Sequence, residues 1–188
     1  MNVPPLPDAF PLLDAGEFVL RPIRPEDATD WYCYLGDREV TELTSSDYDS
    51  QSEIEEIIAY FAASFASKSG MRWAIARRDD DVMIGDCGYN HFDWRERSAV
   101  IGYGLAKEYW GRGVMTGAVT AMLRWGFDEL DLNRIEATTN PLNHRSARVL
   151  EKLGFKREGT LRDYRLDRGE FRDCWIWGLV RREWRHPG

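Results

Sequence analysis

Long hydrophobic runs are missing from this sequence of 188 residues. No stretch approaches the roughly 18 uninterrupted apolar residues that a membrane-spanning helix needs. The first residues, Met1 to Leu13, hold four prolines but lack the basic start and apolar run of a secretory signal. We therefore expect a soluble, cytoplasmic protein with no membrane partner.

Cysteine and histidine are scarce, with three of each. Cys33, Cys87 and Cys174 are far apart and odd in number, so they suggest neither a disulfide framework nor a clustered zinc site. The histidines are not at ligand spacing. We therefore expect no metal.

Basic residues are fewer than acidic ones: 25 lysines and arginines against 32 aspartates and glutamates give a net charge of −7. This balance argues against nucleic acid as a partner and weakly favours an amine-bearing one. The length fits one domain with a sizeable core. Without repeats or low-complexity segments, we expect a proline-rich segment at 1–16, one domain at 17–182 and a tail at 183–188.

Apolar periodicity predicts a mixed α/β domain. Predicted strands are 18–23, 73–76, 82–89, 99–105, 134–138, 155–164 and 171–180. Predicted helices are 26–35, a segment from a capping box at Ser52 until Gly70, 113–128 and 143–153. The three strands between 73 and 105 are expected to form an antiparallel meander.

A glycine-rich turn follows the strand at 99–105 and opens a helix, with Gly111 and Gly113 before Val114. Backbone N–H groups at a helix start lack partners and carry partial positive charge, and glycines let the chain approach an anion. The glycine-rich turn predicts either a phosphate-binding site or an ordinary turn that binds no ligand. The Walker and dinucleotide motifs are both absent, which leaves a phosphate-bearing ligand of another kind.

A second segment carries Asn143 and Ser146, three residues apart at the start of a predicted helix. Residues at this spacing project from one helix face, and Leu150 lies one turn further along. Asn143 taken alone indicates an N-cap.

Together these segments resemble the GNAT superfamily, and within it the branch of ribosomal-protein N-terminal acetyltransferases called RimJ/RimL-like. The resemblance covers roughly 17–180 and rests on motifs in one order: Arg-Pro-Ile-Arg-Pro-Glu-Asp at 21–27, Ile-Gly-Tyr at 101–103, Tyr-Trp-Gly-Arg-Gly at 109–113, Asn143 with Ser146, and Leu-Gly-Phe at 153–155. It implies a mixed, mostly antiparallel sheet of about seven strands with flanking helices. It also implies that a splayed parallel strand pair forms an acetyl-CoA cleft.

The resemblance also implies roles for individual residues. The pyrophosphate of acetyl-CoA would sit on backbone amides of a segment comprising Arg112, Gly113, Val114, Met115 and Thr116. The backbone amide of Leu105 would stabilise the oxyanion formed when an amine attacks. Asn143 would bind the pantetheine arm.

Two of the departures from the superfamily pattern bear on catalysis. Leu150 stands where a tyrosine often protonates the departing thiolate, so Ser146, one turn earlier on the same face, is the candidate proton donor or hydrogen-bond partner of the thiolate, with an ordinary helix-start serine as the alternative. Val100 stands where relatives often have an acid. The candidate bases for the amine are therefore Glu136, on the strand beside the cleft, and His91, Asp93 and Glu96 around the preceding hairpin.

The expected activity is direct acetyl transfer in a ternary complex, because no cysteine falls at a matched catalytic position. The expected acceptor is the N-terminal α-amine of a protein or peptide, with a small amine (polyamine, amino acid or antibiotic) as the alternative. A non-catalytic acyl-CoA sensor and an RNA- or ribosome-associated factor are further alternatives. Aromatic strand residues, including Tyr103, Trp175 and Trp177, could fill an acceptor pocket, the core or a homodimer interface.

Overall fold

The computed structural model describes residues 6–42, 44, 48 and 50–185. The predicted segments at 1–16 and 183–188 are thus described only in part, because 1–5 and 186–188 lie outside these residues. Within the described residues, eight strands form one sheet: β1 Leu13–Ala15, β2 Phe18–Pro22, β3 Met71–Arg77, β4 Met83–Asp93, β5 Ser98–Leu105, β6 Arg134–Thr139, β7 Lys156–Asp167 and β8 Glu170–Val180. The predicted fold class is confirmed, with short β1 as the additional strand.

Five α-helices accompany the sheet in the described part of the chain: α1 Ala28–Leu35, α2 Arg38–Thr41, α3 Gln51–Ala66, α4 Val114–Asp128 and α5 His144–Lys152. The sequence pattern missed α2, which has only four residues. The predicted capping box at Ser52 was two residues late. Ser50 caps α3 instead, and its side chain accepts a hydrogen bond from the Glu53 amide at 3.4 Å.

Strand order in the sheet is β1-β2-β3-β4-β5-β6-β8-β7, so the last strand lies between β6 and β7. The meander β3-β4-β5 is antiparallel, as predicted. β5 and β6 are parallel neighbours, since α4 carries the chain back across the sheet between them. This one parallel pair positions the site described below.

Helices cover both faces of the sheet. On one face, α4 and α5 enclose the larger core, which includes Met122, Leu150 and Trp177. On the other face, α1 and α3 pack through Trp31 and Ile54. Because helices cover the middle of the sheet on both faces, a ligand reaches that region where neighbouring strands part.

A buried ion pair joins β2 to the turn that precedes α1. The Arg21 guanidinium donates to both carboxylate oxygens of Asp27, at 2.7 and 2.8 Å, and the two side chains are 4% and 5% exposed. These two parallel hydrogen bonds offset the free-energy cost of burying both charges.

No helix in the described ranges is long and apolar enough to cross a membrane.

Candidate active site

The parallel strands β5 and β6 separate at the middle of the sheet. Their pairing runs from Ser98 opposite Arg134 to Ile101 opposite Ala137. Beyond this point β5 stays paired with β4, and β6 stays paired with β8. Each strand follows its other neighbour as the sheet twists, and a gap opens between them. The splayed pair inferred from the family resemblance is therefore present.

A cleft of about 450 Å³ lies on the α4 and α5 side of this gap. Its lining includes nearly all of the predicted cofactor-binding residues: Leu105, Gly113, Val114, Met115, Thr116, Asn143 and Ser146. Arg112 is not among the lining residues; it is exposed, and its guanidinium lies 5.7 Å from the Tyr109 ring centre. We refer to this space as the cofactor cleft.

The N-terminus of α4 opens into the cofactor cleft. Gly113 is the N-cap with φ +82°, and Gly111 has φ +75°, so both adopt the left-handed conformation that favours glycine. Gly113 has no side chain that could cap the helix, and a Cβ built there would meet nothing within 4 Å. The amides of the first turn are thus arranged for an anion.

A basic face of α5 also lines the cofactor cleft. Arg145, Arg148 and Lys152 are spaced three and four residues apart and are all exposed. The Arg145 guanidinium lies 4.5 Å from the ring centre of Trp110. This positive strip fits a polyphosphate ligand although the whole chain is acidic. Sequence reasoning missed it, and the signal was the helical spacing of the three cations.

The backbone amide of Leu105 points into the gap. In the ladder between β4 and β5, Ala106 N–H donates to Ile84 C=O at 2.9 Å. Because hydrogen-bonded and non-hydrogen-bonded pairs alternate along antiparallel strands, the next pair, Gly85 with Leu105, faces away from this ladder. The Leu105 N–H is therefore directed to the side where β6 has diverged. The Leu105 carbonyl accepts from the Trp110 indole at 2.9 Å.

Tyr103 and Ser146 meet beside the gap. The phenol oxygen of Tyr103 lies 2.7 Å from the hydroxyl oxygen of Ser146. Burial raises the pKa of the Tyr103 phenol, so it stays protonated at neutral pH. Asn143 caps α5 by accepting from the Ser146 amide at 3.0 Å, which fixes the position of the serine. Sequence reasoning treated Tyr103 only as one aromatic among several.

A second cavity, of about 250 Å³, lies on the other side of the gap and reaches the β7–β8 hairpin. We call it the acceptor cavity. It shares six lining residues with the cofactor cleft: Val40, Thr44, Tyr103, Gly104, Asn143 and Ser146. The two spaces therefore meet at the Tyr103–Ser146 pair, where reactants entering from opposite sides would come together.

The candidate bases predicted from sequence do not reach either cavity. Glu136 is not among the lining residues, and its carboxylate accepts from Arg134 Nε at 2.6 Å. The predicted role of Glu136 stays a prediction, and in the structure its side chain forms an ion pair along β6. His91, Asp93 and Glu96 also line neither cavity. Within the described ranges, no cluster of three or more metal-ligating side chains occurs.

Comparisons with known proteins agree with this geometry. Residues 17–156 match the family described as acetyltransferase (GNAT) domain. The uncharacterized N-acetyltransferase YoaA of Bacillus subtilis is 33% identical over 92% of this chain and 98% of its own. The [ribosomal protein uS5]-alanine N-acetyltransferase of Escherichia coli is 36% identical over 45% of this chain and 43% of its own. Mycobacterium smegmatis RimJ in complex with CoA-disulfide superposes with a TM-score of 0.78 at 30% identity, over 91% of this chain and 86% of RimJ.

Proposed function

The chain belongs to the acetyltransferase (GNAT) domain family, and on this premise we propose that it acetylates the N-terminal α-amine of a protein or peptide. The observation that carries this proposal is the meeting of two cavities at the gap between β5 and β6. One cavity suits acetyl-CoA and the other an amine. This arrangement supports direct transfer in a ternary complex.

The cofactor cleft holds the groups that acetyl-CoA requires. The first-turn amides of α4 would bind the pyrophosphate, and the open space at Gly111 and Gly113 leaves room for it. Arg145, Arg148 and Lys152 would bind the remaining phosphate charge. Asn143, whose side-chain oxygen caps α5, keeps its amide nitrogen for the pantetheine arm.

The Leu105 amide would stabilise the reaction's developing charge. When an amine nitrogen attacks the thioester carbon, the carbonyl oxygen becomes an oxyanion. The Leu105 N–H faces the gap where that oxygen would lie. Removing one such donor typically raises the barrier by about 3 kcal/mol.

Ser146 would stabilise the CoA thiolate as it leaves. As the C–S bond breaks, the thiolate needs a hydrogen bond or a proton, and the Ser146 hydroxyl lines the cofactor cleft. Tyr103 can donate to the Ser146 oxygen and so leave the serine hydrogen free to point toward sulfur. Leu150, one turn further along α5, is fully buried in the core and carries no hydroxyl.

A covalent acetyl-enzyme is not needed. Cys174 lines the acceptor cavity, but burial raises the pKa of its thiol and keeps it in the poorly nucleophilic protonated form. Direct attack by the amine avoids this thiol.

An α-amine is the favoured acceptor for two reasons. Its pKa of about 7.7 to 8.0 means that deprotonation at pH 7 costs under about 1.4 kcal/mol, against roughly 4 to 5 kcal/mol for lysine. A similar protein, the E. coli enzyme named for alanine of ribosomal protein uS5, points in the same direction. The expected cytoplasmic location and the homodimer stay predictions.

The deciding experiment is free-thiol release from acetyl-CoA with a panel of amines. The panel contains peptides beginning with alanine or serine, the same peptides with blocked N-termini and one internal lysine, a polyamine and an aminoglycoside. We expect acceptor-dependent thiol release with the free α-amines and little with the blocked peptides. Faster release with the polyamine or aminoglycoside would replace the peptide proposal with the small-amine alternative.

A further inference from the structure

A polar cluster lies buried beneath the acceptor cavity. Asp86, on β4, is only 3% exposed and lines this cavity. Its carboxylate accepts hydrogen bonds from the Tyr34 hydroxyl and from the Arg72 guanidinium. Arg72 also donates to the side chain of Asn90. The carboxylate is thus held by a hydroxyl and a guanidinium where it lines the cavity.

Glycine on the neighbouring strand keeps space open beside Asp86. Asp86 is the cross-strand partner of Gly104 on β5. A Cβ built at Gly104 would lie 3.0 Å from Asp86 Oδ1, closer than most real contacts, so any side chain there would crowd the carboxylate. Gly104 lines both the acceptor cavity and the cofactor cleft. The carboxylate therefore stands next to the place where the two spaces meet.

The carboxylate has acceptor capacity left. Two oxygens offer about four lone-pair sites, and Tyr34 and Arg72 use one each. The other carboxylates lining the acceptor cavity are Asp167, half-buried, and Asp173, exposed, both from the β7–β8 hairpin. Among the described carboxylates that line the acceptor cavity, Asp86 is the one that is fully buried, and Arg72, which lines the same cavity, is its ion-pair partner.

We propose that Asp86 binds the ammonium group of the acceptor and holds it against the thioester. This inference rests on the proposed function and adds a recognition residue to it. Its basis is the strand register: the residue paired with Asp86 is Gly104, and the next residue, Leu105, carries the amide directed into the gap. An amine held by Asp86 would lie within one residue of the oxyanion donor. The bound ammonium gives one proton to solvent water, and the freed nitrogen lone pair forms the N–C bond to the thioester carbon as the C–S bond breaks and the CoA thiolate leaves toward Ser146.

The test separates charge recognition from structural support. Two non-acetylatable probes are used: an alanine peptide with an N,N-dimethylated amine, which is cationic, and the same peptide with a hydroxyl in place of the amine, which is neutral. Calorimetry measures their binding to the CoA complex of wild type, Asp86→Asn and Asp27→Asn. The Asp27–Arg21 pair is the matched control, because it is equally buried but lines neither cavity.

We expect Asp86→Asn to weaken the cationic probe by about tenfold to hundredfold, the usual size of a charge-assisted hydrogen bond. Asp86→Asn should bind the neutral probe and CoA as tightly as wild type does. Asp27→Asn should bind the cationic probe, the neutral probe and CoA as tightly as wild type does. With the reactive alanine peptide, KM should rise more than kcat falls. Equal binding of the cationic probe by Asp86→Asn and wild type would overturn the proposal, as would equal weakening of both probes.

A second variant keeps the test decisive if Asp86→Asn does not fold. Gly104→Ala places a methyl group against Asp86 Oδ1 without removing any charge. It should weaken the cationic probe more than the neutral one, and the opposite ranking would overturn the proposal. Failure of the proposed function looks different: wild type would bind the cationic probe through Asp86 yet release no thiol from acetyl-CoA with any amine.

Discussion

The Tyr103 phenol oxygen on β5 and the Ser146 hydroxyl oxygen on α5 lie 2.7 Å apart and share a hydrogen bond. The two residues are 43 positions apart in the chain, and both line the cofactor cleft and the acceptor cavity. This contact fixes a serine hydroxyl, which would otherwise rotate freely, at the junction where acetyl transfer is proposed. Ser146 is therefore the proposed catalytic residue and Tyr103 the residue that positions it.

Replacing Ser146 by alanine should lower kcat by about 100-fold or more, the range typical of losing a general acid. The KM for acetyl-CoA should change little. The α5 cap should survive, because Asn143 accepts from the backbone amide of residue 146, which alanine keeps. Steady-state thiol release and circular dichroism measure these effects. An unchanged kcat would remove Ser146 from the mechanism.

Replacing Tyr103 by phenylalanine should lower kcat by about tenfold or less, because it removes one hydrogen bond to Ser146. In the Ser146→Ala background the same change should have almost no effect. A double-mutant cycle on kcat measures this coupling. Additive losses would mean that Tyr103 acts independently of the serine, for example by lining the acceptor cavity.

The pH dependence of kcat/KM should follow the acceptor and not the tyrosine. With an α-amino peptide, the rate should rise through about pH 7.7 to 8.0 as the amine loses its proton. It should then stay level to about pH 10, because burial holds the Tyr103 pKa above the usual value of a phenol. Stopped-time assays in matched-ionic-strength buffers give the profile. A falling limb below pH 9 that disappears in Tyr103→Phe would contradict this assignment.

Asn143 should have separable structural and binding roles. Asn143→Ala should cost about 1 kcal/mol of folding free energy through loss of the α5 cap. Asn143→Asp keeps the capping oxygen and should restore stability, but it loses the amide donor and should bind acetyl-CoA more weakly than wild type. Thermal denaturation and calorimetry report the two roles. Full acetyl-CoA affinity in Asn143→Asp would limit Asn143 to capping.

Gly113→Ala should weaken acetyl-CoA binding, since it forces alanine into a positive φ and puts a methyl group where the pyrophosphate is proposed. Gly16→Ala is the matched control: Gly16 also has positive φ and open space, but it lies in the β1–β2 turn away from both cavities. Each variant should lose about 1 kcal/mol of stability. Only Gly113→Ala should lose affinity for acetyl-CoA. Equal acetyl-CoA affinities of the two variants would argue against pyrophosphate binding at the N-terminus of α4.

Much of the architecture was predictable from short-range pattern. The apolar periodicity located every long helix and seven of the eight described strands. It missed β1 and α2, because segments of three and four residues hold too few positions to show a period. The start of α3 was also misplaced, since Ser50 and Ser52 are both suitable caps and only the folded chain chooses between them.

The candidate site was also predictable from the sequence only in part. The glycine turn and the Asn143 cap are local features, because backbone conformation and helix capping depend on residues a few positions apart. The basic strip of Arg145, Arg148 and Lys152 was also present in the spacing, although it was overlooked. Glu136 was chosen because it lies on the strand beside the cleft. The structure pairs it with Arg134 and does not include it in the lining of either cavity, so its role stays a prediction.

The sequence by itself determined the fold class, the family resemblance and the glycine turn before α4, since each depends on local pattern or on motifs in order along the chain. Only the tertiary structure decided which side chains share the site. The Tyr103–Ser146 contact depends on how α5 packs against β5. The Asp86–Gly104 pairing depends on the β4–β5 register, which a bulge between Tyr89 and His91 shifts along the strand. Side-chain packing and strand register decide which distant segments are in contact. Neither can be read from short stretches of sequence, because both arise only when the chain folds.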